Sequence, residues 1–292
     1  MTLISVLMPV YNGEKHLKEA IDSILNQTFR DFEFIIVNDG STDNTKSIID
    51  SYDDKRIICV EQENKGLAKS LNIGASHCKG EYIARMDADD ISISSRLMDQ
   101  YLFLKSHPNI SVLSSAFSYI NENGKYLGRT FPITYPFLIK KKLLNSGCIV
   151  CHPSVMIRRK DFFDVGAYSE IMGNRFVDYH LWVKFLKKGF NIQNLSVVLL
   201  KYRILDSAIT SQYSLSQAGK VFLLKVIKQE NPTIEDVKKL YDACIVNTNS
   251  FAKRESNYNN IQNYFYNKLR FVNERVKDYI FSLLRNIIAF IH

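Results

Sequence analysis

Short apolar runs alternate with segments of helical periodicity through the first hundred residues. Each run is long enough for a buried strand, and residues such as Leu17, Ala20 and Ile21 recur at helical spacing between the runs. This alternation predicts a mostly parallel sheet with helices on both faces. The four predicted strands lie at 4–10, 34–37, 57–60 and 82–86.

Beyond residue 108 the alternation is looser. Apolar runs predict strands at 112–120, 154–157 and 197–200, the last being the final strand. A helix is expected to open at Asp178 and to stop at Gly189. From residue 214 the pattern turns helical, which predicts an α/β domain over 1–213 followed by a helical C-terminal region over 214–292.

Polar residues follow the ends of several predicted strands. Tyr11 and Asn12 come after the first strand, Asp39 after the second, and an acidic group at 87–90 after the fourth. Ligands of α/β sheets bind beyond the carboxyl ends of the strands. We therefore expect these residues to share one site at one edge of the sheet.

The acidic group places Asp87, Asp89 and Asp90 within four residues. Carboxylates this close repel each other unless a cation lies among them or they separate into solvent. Hard oxygen ligands suit Mg²⁺ or Mn²⁺, ions that often also bind substrate phosphates. The alternative is a solvated acidic turn.

Composition limits the classes of binding partner and the cellular compartment that we expect. The chain of 292 residues carries a net charge of +8, which suits nucleic acid, anionic lipid or a nucleotide as partner. No nucleic-acid recognition motif appears, so no nucleic-acid partner is expected. An odd count of five cysteines and no export signal favour a reducing, cytoplasmic setting. Within the C-x-x-C sequence, Cys148 and Cys151 are expected to be small buried side chains.

Four ordered motifs resemble glycosyltransferase family 2, and they lie at 9–14, 37–43, 64–67 and 80–90. The resemblance extends over about residues 3 to 210. It implies an α/β fold of the GT-A type, with a Rossmann-like mixed sheet flanked by helices and a helical C-terminal appendage. It also implies a nucleotide-sugar donor, Mn²⁺ or Mg²⁺ as cofactor, and inverting sugar transfer by a catalytic domain over 1–213.

The resemblance also implies roles for individual residues. Asp39 matches the residue that accepts the uracil N3–H, Asp87 the one that contacts the ribose or the sugar, and Asp89 the metal ligand. Asp178 matches the base that deprotonates the acceptor hydroxyl. Leu205 stands where related enzymes often carry a His near the diphosphate. The residues implied for donor binding are Pro9, Val10, Tyr11, Asn12, Asp39, Lys65, Gly66, Lys69, Asp87, Ala88 and Asp89.

The expected reaction moves a hexose or N-acetylhexosamine from a UDP-sugar to a saccharide acceptor, with a lipid-linked acceptor favoured, in bacterial surface polysaccharide synthesis. The alternatives are a GDP- or dTDP-sugar donor and a catalytically inactive nucleotide-sugar-binding module. Residues 253–292 interleave basic with apolar side chains. That segment could contact the inner face of the cell membrane peripherally, the catalytic domain or a second subunit.

Overall fold

A mixed sheet of nine strands forms the centre of the described chain. The computed structural model describes residues 2–205, 213–215, 217–229, 232–242 and 244–246. The spatial order is β3-β2-β1-β4-β8-β6-β9-β5, and β7 pairs with β6. The strands are β1 (Ile4–Val10), β2 (Phe32–Asp39), β3 (Ile57–Gln62), β4 (Tyr82–Arg85), β5 (Ile91–Ser92), β6 (Ile110–Ile120), β7 (Tyr126–Arg129), β8 (Met156–Arg158) and β9 (Asn191–Arg203).

The first four strands run parallel, as the alternation of runs and helices predicts. In the register, Val10 lies opposite Asn38, and Asp39 lies opposite Gln62. Their carboxyl ends therefore meet at one edge of the sheet. The other half is largely antiparallel, with β8 against both β4 and β6, although β6 and β9 are parallel.

Helices cover both faces of the sheet, so the central strands are buried on both sides. In β2, Phe34 and Ile36 belong to one apolar cluster, and Ile35 and Val37 belong to the other. The α-helices are α1 (Leu17–Leu25), α2 (Thr45–Asp50), α3 (Leu67–His77), α4 (Arg96–Ser106), α5 (Pro136–Asn145), α6 (Arg159–Asp164), α7 (Val177–Lys187), α8 (Gln217–Ile227) and α9 (Ile234–Asp242).

Two details of the second half differ from the sequence predictions. The strand predicted at 154–157 begins only at Met156, because His152–Ser154 form a 3-10 turn that contains Pro153. The run at 197–200 is part of the longer β9 and is not the last strand. Two further short strands, β10 (Tyr213–Leu215) and β11 (Cys244–Val246), pair with each other in antiparallel fashion.

The first helices after residue 214 pack on the sheet domain. Val226 of α8 and Leu240 of α9 are buried in the same apolar cluster as Trp182 of α7. The domain boundary at 213 stays a prediction, and residues 253–292 lie outside the described residues. Within the described ranges, no helix combines the length and the apolar character needed to cross a membrane.

Candidate active site

The loops after β1 and β2 are joined by hydrogen bonds. The N–H of Asn12 donates to Ser41 Oγ at 2.9 Å, and the N–H of Thr42 donates to Asn12 Oδ1 at 2.8 Å. Asn12 has φ +51°, a left-handed conformation that asparagine tolerates better than most residues. Tyr11 remains 53% exposed beside this junction. Pro9 and Val10 are buried at the end of β1, so of the predicted donor residues here only Tyr11 and Asn12 present side chains to solvent.

Asp39 ends β2 and fastens the segment that precedes α3. Its carboxylate accepts the backbone N–H of Lys65 at 2.8 Å and that of Gly66 at 2.9 Å. The Gln62 amide donates to the same carboxylate at 2.5 Å. These three bonds leave acceptor capacity on a carboxylate that offers about four lone-pair sites. Asp39 thus joins two of the predicted donor segments, while the side chains of Lys65 and Lys69 are exposed.

The three carboxylates of the acidic group lie together beyond β4. Oxygens of Asp87, Asp89 and Asp90 lie within 4.8 Å of one another. Burial, followed by the charge of Asp87, raises the pKa of Asp89 above its ordinary value. Burial, followed by the charges of Asp89 and Asp87, raises the pKa of Asp90 well above its ordinary value. A cation among these oxygens would relieve that repulsion.

The acidic group also approaches the loop after β1. A Cβ atom placed on Gly13 would lie 3.9 Å from Cβ of Ala88. The structure therefore brings the strand-end residues at 11–13, 39 and 87–90 to one edge of the sheet, as the sequence predicts.

Two buried arginines support the acidic group. Arg85, the last residue of β4, forms an ion pair with Asp87 and is only 3% exposed. Its Nε and Nη1 atoms have no hydrogen-bond partner among the described residues. Arg203, at the end of β9, donates from Nε to the carbonyl of Asp89 at 2.8 Å and forms an ion pair with Glu19 of α1.

Asp178 is the second residue of α7 and is partly buried. Burial raises the pKa of Asp178, while the N–H of Tyr179 and the positive charge of Arg85 act in the opposite direction. Since Arg85 also pairs with Asp87, one guanidinium acts on both the predicted base and the acidic group. The role of Asp178 as the base stays a prediction.

The prediction of two buried cysteines is wrong. Cys148 is exposed and Cys151 is only partly buried. The Cys148 thiol lies 3.8 Å from Asp178 Oδ2, at the end of a short segment after α5 that turns toward the site. His152, by contrast, is a packed residue. Its Nε2 lies 2.7 Å from the Tyr168 hydroxyl, and its ring packs edge-on against Trp182.

Comparison with known proteins identifies the family of this chain. The family model of glycosyl transferase family 2 matches residues 5–166, more than half of the chain. The chain belongs to glycosyltransferase family 2. It is accordingly a glycosyltransferase, and the strand-end site described above is the candidate active site of this family 2 enzyme.

Several relatives carry the same activity in their names. An uncharacterized glycosyltransferase of Methanocaldococcus jannaschii is 37% identical over 207 residues, which cover 69% of this chain and 71% of the relative. The O-antigen biosynthesis glycosyltransferase WbnJ of Escherichia coli is 34% identical over 210 residues, covering 70% of this chain and 80% of WbnJ.

The fold also matches a solved structure. The Staphylococcus aureus TarS fragment 1–349, crystallised with UDP-GlcNAc, superposes with a TM-score of 0.60 at 21% identity, over 82% of this chain and 70% of TarS 1–349. At this identity the match establishes the GT-A fold.

Sequence reasoning missed Arg85 as a residue of this family 2 site. A signal was present, because Arg85 interrupts an apolar strand, and a buried arginine requires a charged or polar partner. Its ion pair with Asp87 is that partner. Nothing in the sequence indicates that Glu19 and Arg203, which are 184 residues apart, form an ion pair.

Proposed function

We propose that this enzyme transfers a hexose or N-acetylhexosamine from a UDP-sugar to a saccharide acceptor with inversion at the anomeric carbon. One observation carries the proposal: the acidic group at 87–90 and the Asp39 carboxylate lie at the same edge of the sheet, beyond strands that run parallel. A nucleotide-sugar donor needs both a partner for its base and a partner for its diphosphate. This edge offers both chemistries side by side.

The nucleotide end of the donor is assigned to Tyr11 and Asp39. The remaining acceptor capacity of Asp39 suits the N3–H of uracil, a donor that cytosine lacks. The exposed ring of Tyr11 offers an apolar face for the base. The TarS structures with UDP and UDP-GlcNAc support the choice of uridine, because they share this fold.

The diphosphate end is assigned to the acidic group together with Mn²⁺ or Mg²⁺. The residues fit a divalent ion, since their oxygens cluster within 4.8 Å and Asp90 Oδ2 is buried without a hydrogen-bond partner among the described residues. Asp89 is proposed as the principal ligand, with Asp87 toward the ribose or sugar. When bound, such an ion would stabilise the negative charge of the leaving diphosphate.

Asp178 is assigned as the general base. The acceptor hydroxyl would lose its proton to Asp178 while its oxygen forms the new bond to the anomeric carbon. The bond from that carbon to the diphosphate oxygen breaks, and its electron pair leaves with UDP. A carboxylate whose pKa is raised by burial is a stronger proton acceptor than an ordinary one once it is ionised.

The setting is proposed to be the synthesis of a bacterial surface polysaccharide on a lipid-linked acceptor, at the cytoplasmic side of the membrane. The name of WbnJ supports this setting for a relative of similar length. Peripheral membrane contact through residues 253–292 stays a prediction. If the protein is an enzyme, the alternative donor is a GDP- or dTDP-sugar. If it is not an enzyme, the alternative is a catalytically inactive module that binds a nucleotide sugar.

Titration calorimetry with UDP and CDP, each with and without Mn²⁺, tests the donor assignment. UDP should bind more tightly than CDP, and removal of the ion should lower the affinity for UDP. Equal affinities for UDP and CDP would remove Asp39 from base recognition. If neither Mn²⁺ nor Mg²⁺ changes the affinity for UDP, the proposed role of the metal is wrong. Tight UDP binding without any turnover of UDP-sugars would favour the inactive module.

A further inference from the structure

A tyrosine of the C-terminal helix α9 supports the loop that leads to the predicted base. The Tyr241 hydroxyl accepts the backbone N–H of Asn174 at 3.1 Å and that of Arg175 at 3.0 Å. It donates to the carbonyl of Met172 at 2.6 Å. One phenol therefore satisfies three backbone groups of a segment, 172–176, whose last four residues lie outside any regular element.

Two further contacts fix Tyr241 against this segment. The Arg175 guanidinium lies over the Tyr241 ring, with its Cζ atom 4.4 Å from the ring centroid. Gly173 has φ +62°, and a Cβ atom there would lie 3.0 Å from the Tyr241 hydroxyl. The close approach of helix and loop therefore depends on a glycine at 173.

The segment ends at the start of the helix that carries the base. Phe176 adopts φ +58°, and α7 begins at the next residue, which makes Asp178 its second residue. A left-handed conformation is unfavourable for a bulky aromatic residue, so the surrounding contacts must hold Phe176 there. On the N-terminal side, the N–H of the adjacent Arg175 donates to the Tyr241 hydroxyl at 3.0 Å and to the carbonyl of Met172 at 3.4 Å.

The same segment also contacts the donor-side loop. Asn174 Oδ1 accepts the N–H of Leu67, the first residue of α3, at 2.8 Å. A Cβ atom on Gly66 would lie only 2.8 Å from that oxygen. Gly66 in turn donates to Asp39. Asn174 thus links the loop before Asp178 to the loop that Asp39 holds.

A cavity of about 690 Å³ opens at this junction, so close packing does not hold the loop on that side. Without the hydroxyl, the N–H of Asn174 would lose its acceptor, and that of Arg175 would keep only its longer bond to the carbonyl of Met172 at 3.4 Å. The segment would then have room to move. The residues that line the cavity include Asn64, Lys65, Ile171, Asn174, Lys238 and Tyr241.

We propose that Tyr241 is a positioning residue, which sets the placement of Asp178 relative to the donor-binding loop through segment 172–176. The inference rests on the proposed roles of Asp178 and Asp39. It gives the C-terminal helices a part in the reaction, since the chemistry would depend on a side chain 63 positions beyond the base.

The variant Tyr241→Phe in the full chain tests the proposal, because it removes only the hydroxyl. The matched control is Tyr52→Phe, which removes a hydroxyl that lies just after α2 and donates to Asp22 of α1 at 2.8 Å. Four quantities are measured for each: deuterium exchange of the Asn174 and Arg175 amides, UDP affinity with Mn²⁺, UDP release from UDP-N-acetylglucosamine, and the melting temperature.

In Tyr241→Phe, exchange at both amides should rise by roughly tenfold or more, and UDP release should fall by roughly tenfold, equivalent to about 1.4 kcal/mol. The affinity for UDP should stay within about twofold of that of the unaltered protein. Tyr52→Phe should change neither exchange nor release. A melting temperature lowered alike in both variants would show that global stability does not explain the difference.

The results separate this inference from the proposed function. Unchanged amide exchange in Tyr241→Phe overturns the inference, as does faster exchange with normal UDP release. If the unaltered chain binds no UDP, the proposed function fails, and the exchange measurement alone decides whether Tyr241 holds the loop.

Discussion

The backbone N–H of Arg203 donates to Oδ1 of Asp90 at 2.8 Å, between residues 113 positions apart. The Arg203 side chain adds a bond to the carbonyl of Asp89 and another to the carbonyl of Glu122, both at 2.8 Å. Hydrogen bonds from Arg203 at the end of β9 therefore help to hold the acidic group in place. These bonds come from the chain itself, and they help to fix the positions of the carboxylates.

Replacing Arg203 should weaken both the fold and the metal site. Arg203→Met would leave the carbonyls of Asp89 and Glu122 without that donor, at about 0.5–1.5 kcal/mol for each of these part-buried hydrogen bonds. The melting temperature and the affinity for Mn²⁺ should both fall. Glu19→Gln is the control, because Glu19 contacts Arg203 but is half exposed. Normal Mn²⁺ affinity in Arg203→Met would show that the acidic group holds its own shape.

Asp89→Ala should remove the metal dependence of UDP binding. With one carboxylate gone, the group loses its proposed principal ligand, so UDP affinity should match that of the unaltered protein in EDTA. Asp53→Ala, an exposed carboxylate near β3, should bind UDP normally. Calorimetry of the three proteins checks this. Full retention of Mn²⁺-dependent UDP binding by Asp89→Ala would contradict the metal assignment.

Asp39→Ala should lower the affinity for UDP more than it lowers the affinity for inorganic diphosphate. A hydrogen bond to a charged group contributes about 1.5–3 kcal/mol, and only UDP carries the uracil. The variant should also melt lower, because the N–H groups of Lys65 and Gly66 lose their acceptor. Gln62→Ala separates the two effects, since it removes a supporting bond but keeps the carboxylate.

For Gln62→Ala we expect a lower melting temperature with the preference for UDP over CDP retained. Equal losses of UDP and inorganic diphosphate in Asp39→Ala would mean that Asp39 only holds the loop at 65–66.

Asp178→Asn should lower UDP release from a UDP-sugar by at least about 10²-fold, the size of a lost acid–base contribution. UDP affinity should barely change, because Asp178 is assigned to the acceptor side. The loss should not be recovered at higher pH, since the amide cannot accept the proton. Near-normal release would remove Asp178 from the mechanism.

The raised pKa of Asp178 also predicts how stability varies with pH. A carboxyl whose folded pKa exceeds its unfolded value stabilises the fold when protonated, and that stabilisation is lost as the pH rises through the folded pKa. At pH 7 the ionised side chain is therefore unfavourable, and Asp178→Asn should melt at the same temperature or higher. Any gain should shrink as the pH is lowered toward 3.8, the ordinary value for the group.

The sequence predicted the parallel half of the fold and the residues at its edge. Buried parallel strands are continuous apolar runs, so β1 and β2 are visible without a structure. The motif residues follow those runs directly, which placed Asp39 and Asp87 together. Where the runs are shorter, prediction weakens: the strand predicted at 154–157 includes Ser154, which belongs to the 3-10 turn at His152–Ser154.

Contacts between distant segments could not be predicted. Tyr241 bonds to Asn174 across 67 residues, and no periodicity or spacing encodes such a pair. The exposure of Cys148 could not be predicted either, because the C-x-x-C spacing carries no information on which side chains of the loop after α5 are covered. Supporting residues of a site are therefore found only in three dimensions.

The most direct test of the proposed activity is a donor panel. Purified protein with Mn²⁺ is incubated with UDP-, GDP- and dTDP-sugars, and the released nucleoside diphosphate is measured, with Asp178→Asn as the matched control. We expect release of UDP from at least one UDP-sugar, lost in EDTA and in Asp178→Asn, with little release from the other donors. Release from GDP- or dTDP-sugars alone, or UDP release that persists in Asp178→Asn, would contradict the proposal.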